Sequence, residues 1–323
     1  FGDRSLLQMS FDRLEGLVPP DHILVLTNLD FVQLVREQLP ELPAENVLGE
    51  PYRRDTAAAV CLATLLAERR FGNPVIATLT ADHLIEPIEG FQRVLLSAAD
   101  NAGSLPVLYT FGVKPTYPST AYGYLETGEL LSDTDGISHY RLRSFKEKPD
   151  YETAADYVES GGYLWNSGMF VWQTSTIRAE LERNLPDHVK QISKAIESDG
   201  KEGFHDALAR AFEPLSSISI DFAVMEKSKG VCCVAADFNW SDVGGWLALA
   251  DHLPKDSAGN HIHAELHQLD SRDNLVYSED ASEKVMLVGV EGLIVVHSGD
   301  RILVTRKERA EEIKKVVKEY GLE

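Results

Sequence analysis

Uninterrupted apolar runs that alternate with segments of helical spacing constrain the fold of this chain more than any other feature. The apolar runs read HILVLTN (22–28), PVIATLT (74–80) and PVLYTFGV (106–113), and helical patterns occupy 56–70 and 89–102. Strands that are apolar on both faces lie in a sheet covered by helices on both sides, and this alternation is typical of parallel βαβ units. The sequence therefore predicts an α/β fold, with Thr56 as N-cap of the helix over 56–70.

The pattern changes near residue 253. The segment LPKDSAGN (253–260) has the composition of a linker, and four short β runs follow, NLVYS, KVMLVGV, GLIVVHS and RILVTRK. Short strands at roughly even intervals indicate a small stacked-β module, and the segment 308–320 predicts an amphipathic helix after it. We therefore predict a first domain over 1–253 and a second over 254–323.

Charge and cysteine content narrow the function classes. A formal net charge of -20 argues against nucleic acid as the main partner, because phosphate contacts need a surplus of Lys and Arg. No apolar run approaches the roughly 20 residues of a membrane helix, so no membrane partner is expected. Three cysteines fit neither a metal spacing nor a disulfide framework, as expected for a cytoplasmic protein. A small anionic substrate remains compatible if a metal ion or local cations neutralise it.

Polar segments follow strand-like runs where an open α/β sheet binds ligands, outside the carboxyl ends of its strands. They read TADH (80–83), KEKP (146–149) and WSDVGGW (240–246). Asp82 and Asp242 together form a candidate Mg²⁺ site, because Mg²⁺ prefers oxygen ligands and is often held by one or two carboxylates plus substrate phosphates. Each aspartate alone also fits a turn or a helix cap. We expect His83 to pack or cap rather than act as a base.

The KEKP and WNSG segments carry groups that suit a sugar phosphate. Glu147 offers an acceptor for ring hydroxyls and Lys148 a cation for the phosphate, although for the tripeptide EKP taken alone an exposed charge pair in a loop is the favoured interpretation. Asn166 lies among aromatic residues, a mixture of apolar wall and sparse polar groups that suits a sugar pocket. A turn between two core strands is the alternative for Asn166.

Two further segments are candidates for ligand contact. Arg54 and Asp55 come directly before a predicted helix N-terminus, where backbone N–H groups and the helix dipole favour anions. Gly123 lies between Tyr122 and Tyr124, and a residue without Cβ lets the backbone approach a ligand closely. Both segments also fit ordinary capping and turn chemistry.

Seven motifs occur in one order along the chain: RRDTAAA, TADH, AYGYLE, FKEKPD, LWNSGMF, SIDFAVMEK and FNWSDVGGW. In that order, and near those intervals, the chain resembles the mannose-1-phosphate guanylyltransferases, bacterial sugar nucleotidyltransferases that make GDP-mannose. The resemblance covers essentially the whole chain. It implies a Rossmann-like (GT-A-like) nucleotidyltransferase domain, a small C-terminal left-handed β-helix-like domain, and a homodimer.

The resemblance also gives each candidate residue a role. Asp82 and Asp242 match the Mg²⁺-binding aspartates, and Lys148 matches a lysine near the sugar phosphate, so these three are the expected catalytic residues. The remaining substrate-binding positions that it implies are Arg54, Asp55 and Thr56 at the nucleotide and Tyr122, Gly123, Glu147 and Asn166 at the mannose.

The chain departs from the family pattern at several positions. Asp55 and Ala58 stand where the family usually has Asn and Pro, and Ala121 and Thr80 replace a usual Gly and Pro. Because a carboxylate cannot donate a hydrogen bond as an amide can, Asp55 is a weaker match to a guanine contact. The family also opens with a strand and a glycine-rich signature loop, whereas this chain starts with a segment that resembles the residues just after that loop.

The expected reaction follows from the resemblance. GMP passes from GTP to mannose 1-phosphate, giving GDP-mannose and pyrophosphate, by Mg²⁺-dependent in-line attack of the sugar phosphate on the α-phosphorus. Two alternatives remain open: the same chemistry with another nucleoside triphosphate or hexose 1-phosphate, and a non-catalytic sugar-nucleotide-binding subunit.

Overall fold

A computed structural model describes residues 4–250 and 252–321. Contacts between Cα atoms divide the chain into two compact units, Phe1–Trp240 and Ser241–Glu323. No helix in the described ranges is both long enough and apolar enough to span a bilayer.

The first unit alternates helices and strands, as the sequence predicts. Its helices are α1 (Leu6–Asp12), α2 (Val32–Gln38), α3 (Asp55–Phe71), α4 (Ile88–Ser104), α5 (Tyr151–Ser160), α6 (Thr174–Asn184), α7 (Pro186–Ile196) and α8 (Phe204–Phe212). Its strands are β1 (Val25–Asn28), β2 (Val47–Glu50), β3 (Val75–Thr78), β4 (Leu84–Glu86), β5 (Leu108–Val113), β6 (Gly123–Thr134), β7 (Ile137–Lys146), β8 (Tyr163–Gln173), β9 (Val231–Ala235) and β10 (Asn239–Ser241).

The main sheet has six strands in the order β3-β8-β5-β9-β7-β6. β5 and β9 are parallel, but β8 lies between β3 and β5 and is antiparallel to both. The expectation of purely parallel neighbours is therefore wrong at β8, and also at β7, which is antiparallel to β9. Continuous apolar composition reports that both faces of a strand are buried, and it does not report strand direction. β1 and β2 form a separate parallel pair.

Helices cover both faces of the six-stranded sheet, as predicted. α3 and α6 to α8 pack on one face, where Leu62 and Leu66 join a buried cluster with Phe170. α4 packs on the other face, where Phe91 lies in a second cluster with Val171. Because Phe170 and Val171 are neighbours in β8 and point to opposite faces, this strand belongs to both cores.

The second unit is a stack of short strands, as its sequence indicates. They are β11 (His261–His263), β12 (Glu265–Leu269), β13 (Leu275–Ser278), β14 (Lys284–Val288), β15 (Leu293–Ser298) and β16 (Arg301–Arg306), with helices α9 (Trp246–Ala250) and α10 (Ile313–Glu319). β11, β13 and β15 pair in parallel, β12 pairs in parallel with β14, and β16 closes the stack antiparallel to β15. The sequence did not indicate β11 and β12. The expected helix over 308–320 begins instead as a 3₁₀ segment, Lys307–Glu312.

A buried asparagine ladder links successive coils of this stack. Asn260 accepts from the backbone N–H of Asn274 at 3.0 Å, and Asn274 accepts from the N–H of Leu293 at 2.9 Å. Both asparagines are fully buried, so each side-chain oxygen satisfies a backbone donor that would otherwise have no partner. The parallel coils are thereby held in register by side chains as well as by strand pairing.

Candidate active site

Three of the predicted sugar-contacting residues meet at one point of the first unit. Gly123 begins β6 and lies opposite Asn166 of β8 in the antiparallel register, and Glu147 directly follows β7. A Cβ atom on Gly123 would lie 2.4 Å from Glu147 Oε2 and 3.3 Å from Asn166 Cβ. Both side chains therefore flank the same backbone position, which only glycine leaves unobstructed.

Glu147 has a largely buried carboxyl group, and the oxygen of that group that faces Gly123 is unpaired. Its side chain is 9% exposed, and Oε2 has no hydrogen-bond partner among the described residues. Burial, followed by the nearby charge of Asp221, raises the pKa of Glu147 to about 7, while Lys148 Nζ at 3.4 Å from Oε1 acts in the opposite direction. Oε2 is thus an acceptor that a bound hydroxyl group can satisfy.

A hydrogen bond to Glu226 fixes the turn that carries Lys148. The backbone N–H of Glu147 donates to Glu226 Oε1 at 2.9 Å. Lys148 has a φ of 46°, in the left-handed region that costs a non-glycine residue roughly 1 kcal/mol. Its side chain remains 59% exposed, so the ammonium group can meet an anion from solvent while it stays beside Glu147.

Aromatic side chains form one wall of this region. The ring centroid of Tyr122 lies 5.1 Å from Trp165 and 5.1 Å from Trp240, and Tyr117 lies 4.9 Å from Trp165. All three pairs are edge-to-face, the arrangement that aromatic quadrupoles favour. Tyr122 thus lies in the aromatic wall next to Gly123.

Asp221 is a member of the site that no sequence argument identified. It begins a π-helical turn, Asp221–Met225, and its Oδ1 accepts from Asn166 Nδ2 at 2.9 Å. Burial raises the pKa of Asp221, and the charge of Asp55 adds to that increase. Asp221 belongs to the quoted motif SIDFAVMEK, but a single aspartate among apolar residues carries no chemical signature of its own. Its position in a π-helical turn, a feature often found at functional sites, is visible only in three dimensions.

The RRDT segment lies beside the Asp221 turn. Thr56 Oγ1 accepts from the N–H of Ile220 at 2.9 Å, one residue before Asp221. α3 begins at Asp55, and Arg54 is its N-cap residue without a side-chain cap, so the prediction of Thr56 as N-cap is wrong. Long-range pairing with the segment before Asp221, rather than helix capping, occupies the threonine hydroxyl.

Arg54 and Asp55 differ in how far the fold already engages them. Arg54 Nε donates to the carbonyl of Phe212 at 3.0 Å, so part of its guanidinium supports the α8 end. Asp55 is exposed at the start of α3 with a φ of 61°, and its Oδ1 accepts from the N–H of Thr56 at 2.7 Å. Asp and Asn are the residues that best tolerate this backbone region, so Asp55 keeps the local geometry of the Asn that it replaces.

Asp82 and His83 follow β3 and have opposite environments. The Asp82 side chain is 80% exposed, whereas the His83 side chain is 10% exposed and packs edge-on against Trp240. Trp240 Nε1 donates to His83 Nδ1 at 3.0 Å, and Thr80 Oγ1 lies 2.6 Å from the same nitrogen. His83 is a packed residue, as predicted, and it anchors the chain beside an accessible carboxylate.

Asp242 lies at the start of the second unit in a tight turn. Its Oδ1 accepts from the N–H of Gly244 at 3.0 Å, and Val243 between them has a φ of 46°. A carboxylate that bonds to the backbone two residues ahead forms an Asx turn, which fixes the direction of its second oxygen. The turn interpretation and the ligand interpretation of Asp242 are therefore compatible.

Known proteins resemble this chain in sequence along both of its parts. The nucleotidyl transferase family profile matches residues 1–258, and the MannoseP isomerase/GMP-like beta-helix domain profile matches 260–320. Mannose-1-phosphate guanylyltransferases of Escherichia coli and Klebsiella pneumoniae are 33% and 36% identical to the chain, over 98% of its length. The chain belongs to the mannose-1-phosphate guanylyltransferase family.

The match covers 69% and 67% of those two relatives. A crystal structure from Thermus thermophilus, described as a mannose-1-phosphate geranyltransferase, superposes with a TM-score of 0.86 at 31% identity, covering 99% of this chain and 90% of that one. The family assignment and the predicted two-part α/β and β-helix-like fold are thus confirmed. The roles of individual site residues remain predictions.

The two predicted metal-binding aspartates have the chemistry that Mg²⁺ needs. Asp82 offers an exposed carboxylate, and Asp242 offers an oxygen-donor side chain oriented by its turn. Within 4–250 and 252–321, no group of three or more His, Cys, Asp or Glu side chains could hold a metal ion. Mg²⁺ commonly uses one or two carboxylates and takes its other ligands from water and phosphates, so the carboxylate of each aspartate, taken by itself, has suitable chemistry.

Proposed function

We propose that this chain transfers GMP from GTP to mannose 1-phosphate, forming GDP-mannose and releasing pyrophosphate. The observation that carries the proposal is the pairing of the unpartnered acceptor Glu147 Oε2 with the Asn166 amide across Gly123, in a member of this family. A hydroxyl group of a pyranose both donates and accepts hydrogen bonds, so this pair suits a ring hydroxyl. Its location beside Lys148 suits a sugar that carries a phosphate.

The reaction requires no general base, because a phosphate oxygen is already anionic near neutral pH. A phosphate oxygen of mannose 1-phosphate attacks the α-phosphorus of GTP in line, and the bond to pyrophosphate breaks. Glu147 and Asn166 orient the sugar, and Lys148 lowers the repulsion between the two phosphates. Asp82 and Asp242 would hold Mg²⁺, which neutralises phosphate charge when it is bound.

The nucleotide end is proposed from the neighbouring segment. Arg54, Asp55 and Thr56 lie next to Asp221, which bonds to Asn166, so the RRDT segment adjoins the sugar pocket. We place the base of GTP there. The expected assembly is a homodimer in the cytoplasm, without nucleic-acid or membrane partners.

Pyrophosphate release tests the proposal. The full-length protein with Mg²⁺ is assayed with each of four nucleoside triphosphates against mannose 1-phosphate and glucose 1-phosphate. We expect the highest kcat/KM for GTP with mannose 1-phosphate. A higher kcat/KM with another pair would assign different substrates to the same nucleotidyl-transfer reaction. Binding of GDP-mannose without turnover would indicate a non-catalytic subunit.

A matched pair of variants ties the activity to this pocket. Glu147→Gln removes the buried carboxylate, whereas Glu152→Gln changes an exposed residue of α5. We expect only the first substitution to raise KM for mannose 1-phosphate. Equal kinetics for both variants would separate the activity from the pocket around Gly123.

A further inference from the structure

Asn166 is held by a chain of hydrogen bonds that extends through the sheet. Its Oδ1 accepts from Thr110 Oγ1 at 2.7 Å and from the N–H of Gly168 at 3.3 Å, and its Nδ2 donates to Asp221 Oδ1 at 2.9 Å. Thr110 is fully buried in β5, and Asn166 is 8% exposed. The side-chain amide is therefore engaged at both ends inside the protein.

A bulge in β8 makes this engagement possible. Thr110 pairs with Phe170 and Gly112 with Asn166, so two extra residues of β8 are accommodated between those pairs. Gly168 lies in this bulge with a φ of 71°, and its N–H turns back to the Asn166 side chain. Bulges commonly re-aim a side chain next to an active site, and this one aims Asn166.

One of the partners can only donate. The backbone N–H of Gly168 lies against Oδ1, so Nδ2 is the end that faces Asp221, whose Oδ1 accepts from it. The Thr110 hydroxyl lies 2.7 Å from Oδ1 and 3.2 Å from the Met169 carbonyl oxygen, and its donation at the shorter distance strengthens the same orientation. The amide cannot flip without placing its oxygen against the Asp221 carboxylate, and one Nδ2 hydrogen remains without a partner among the described residues.

We propose that Asp221 and Thr110 are positioning residues, which lock the Asn166 amide so that it presents an N–H donor to a sugar hydroxyl beside the Glu147 acceptor. A flipped amide would present a second acceptor next to Glu147 and would repel the lone pairs of the hydroxyl. The lock therefore determines the polarity of the sugar site. This inference rests on the proposed function, because mannose 1-phosphate is taken as the ligand.

Three variants test the lock. Thr110→Val and Asp221→Ala each remove one partner of the amide, whereas Asp221→Asn keeps an oxygen that accepts from Nδ2. We expect KM for mannose 1-phosphate to rise by about 5- to 10-fold in the first two, the effect of losing one well-oriented neutral hydrogen bond. We expect Asp221→Asn to stay within about threefold of the wild type, with KM for GTP unchanged in all three.

Thr64→Val is the matched control. Thr64 is also fully buried, but its hydroxyl has no hydrogen-bond partner within the described part of the chain. The same change of side chain should therefore leave KM for mannose 1-phosphate unaltered. A rise in that KM for Thr64→Val equal to that for Thr110→Val would reduce the effect to general loosening of the core and overturn the proposal.

The outcomes separate this inference from the proposed function. Absence of wild-type turnover would refute the proposed function, whereas wild-type turnover with unchanged sugar KM in Thr110→Val and Asp221→Ala would refute the lock. Calorimetric binding of mannose 1-phosphate gives the same comparison without catalysis. A large loss in Asp221→Asn as well as in Asp221→Ala would show that Asp221 acts through its charge, and would also refute the lock.

Discussion

Gly123→Ala is the most direct test of the pocket geometry. The added Cβ would lie 2.4 Å from Glu147 Oε2, roughly 1 Å inside normal contact, and Asn166 Cβ at 3.3 Å leaves little room on the other side. The Glu147 carboxylate is the end of a side chain, so it rotates away and the sheet keeps its register. We expect a modest loss of stability, about 1–2 kcal/mol, because a buried carboxyl has to be repacked.

The effect on sugar binding should be larger than the effect on folding. A hydrogen bond to a charged group contributes about 1.5–3 kcal/mol, so losing the Glu147 contact should raise KM for mannose 1-phosphate by roughly 10- to 150-fold. KM for GTP should change by less than about threefold. Pyrophosphate release under varied sugar phosphate measures the first value, and urea unfolding measures the stability.

Gly162→Ala is the control for this prediction. Gly162 directly precedes β8, its φ is not positive, and an added Cβ would meet only Ser160 Oγ at 3.9 Å. Alanine there should leave both KM values unchanged. The reasoning is refuted if Gly123→Ala binds mannose 1-phosphate as tightly as Gly162→Ala while both remain folded.

Three further outcomes follow from the site. The folded-state pKa of Glu147, about 7, exceeds its ordinary value, so its contribution to stability is complete below about pH 4.5 and is lost as pH rises through 7. Glu147→Gln should therefore gain stability relative to the wild type between pH 5 and 8, by about 3 kcal/mol at most in urea unfolding, and a constant difference would contradict this. Asp242→Asn should lower kcat with Mg²⁺ at least about 100-fold, whereas Asp156→Asn in α5 should not, and wild-type turnover of Asp242→Asn would exclude its metal role. Asp55→Asn keeps the left-handed backbone and adds an amide donor, so KM for GTP should fall by about 2- to 10-fold, and an increase would contradict a base contact there.

The parts of the fold that follow from local pattern were predictable. Alternating apolar strands and helices predict the layered α/β unit, and α3, Asp55–Phe71, lies within one residue of the predicted bounds 56–70. The direction of β8 was not predictable, because it depends on which strands lie beside it and not on its own residues. For the same reason the hydroxyl of Thr56 was assigned to a helix cap, although a residue 164 positions later uses it.

In the candidate site, too, some residues were predictable from sequence and one was not. Gly123, Glu147 and Asn166 were predicted from motifs, and the structure brings them together. Asp221 was missed because its significance lies in its contact with Asn166, 55 residues away in sequence. Long-range contacts between polar side chains leave no periodicity in a sequence, so only the fold reveals them.

The bulge in β8 has a consequence for recombination among relatives. Residues of β8 before the bulge pair with β6, and those after it pair with β3. A crossover at Gly168 would therefore transfer the pocket half of the strand with β6 and β7 as one inherited block. The second half of β8, the helices α6 to α8 and Asp221 would come from the other parent. Exchange of sugar preference by chimeras joined there should therefore succeed only between relatives that share the residue at position 221, because the junction separates Asn166 from Asp221.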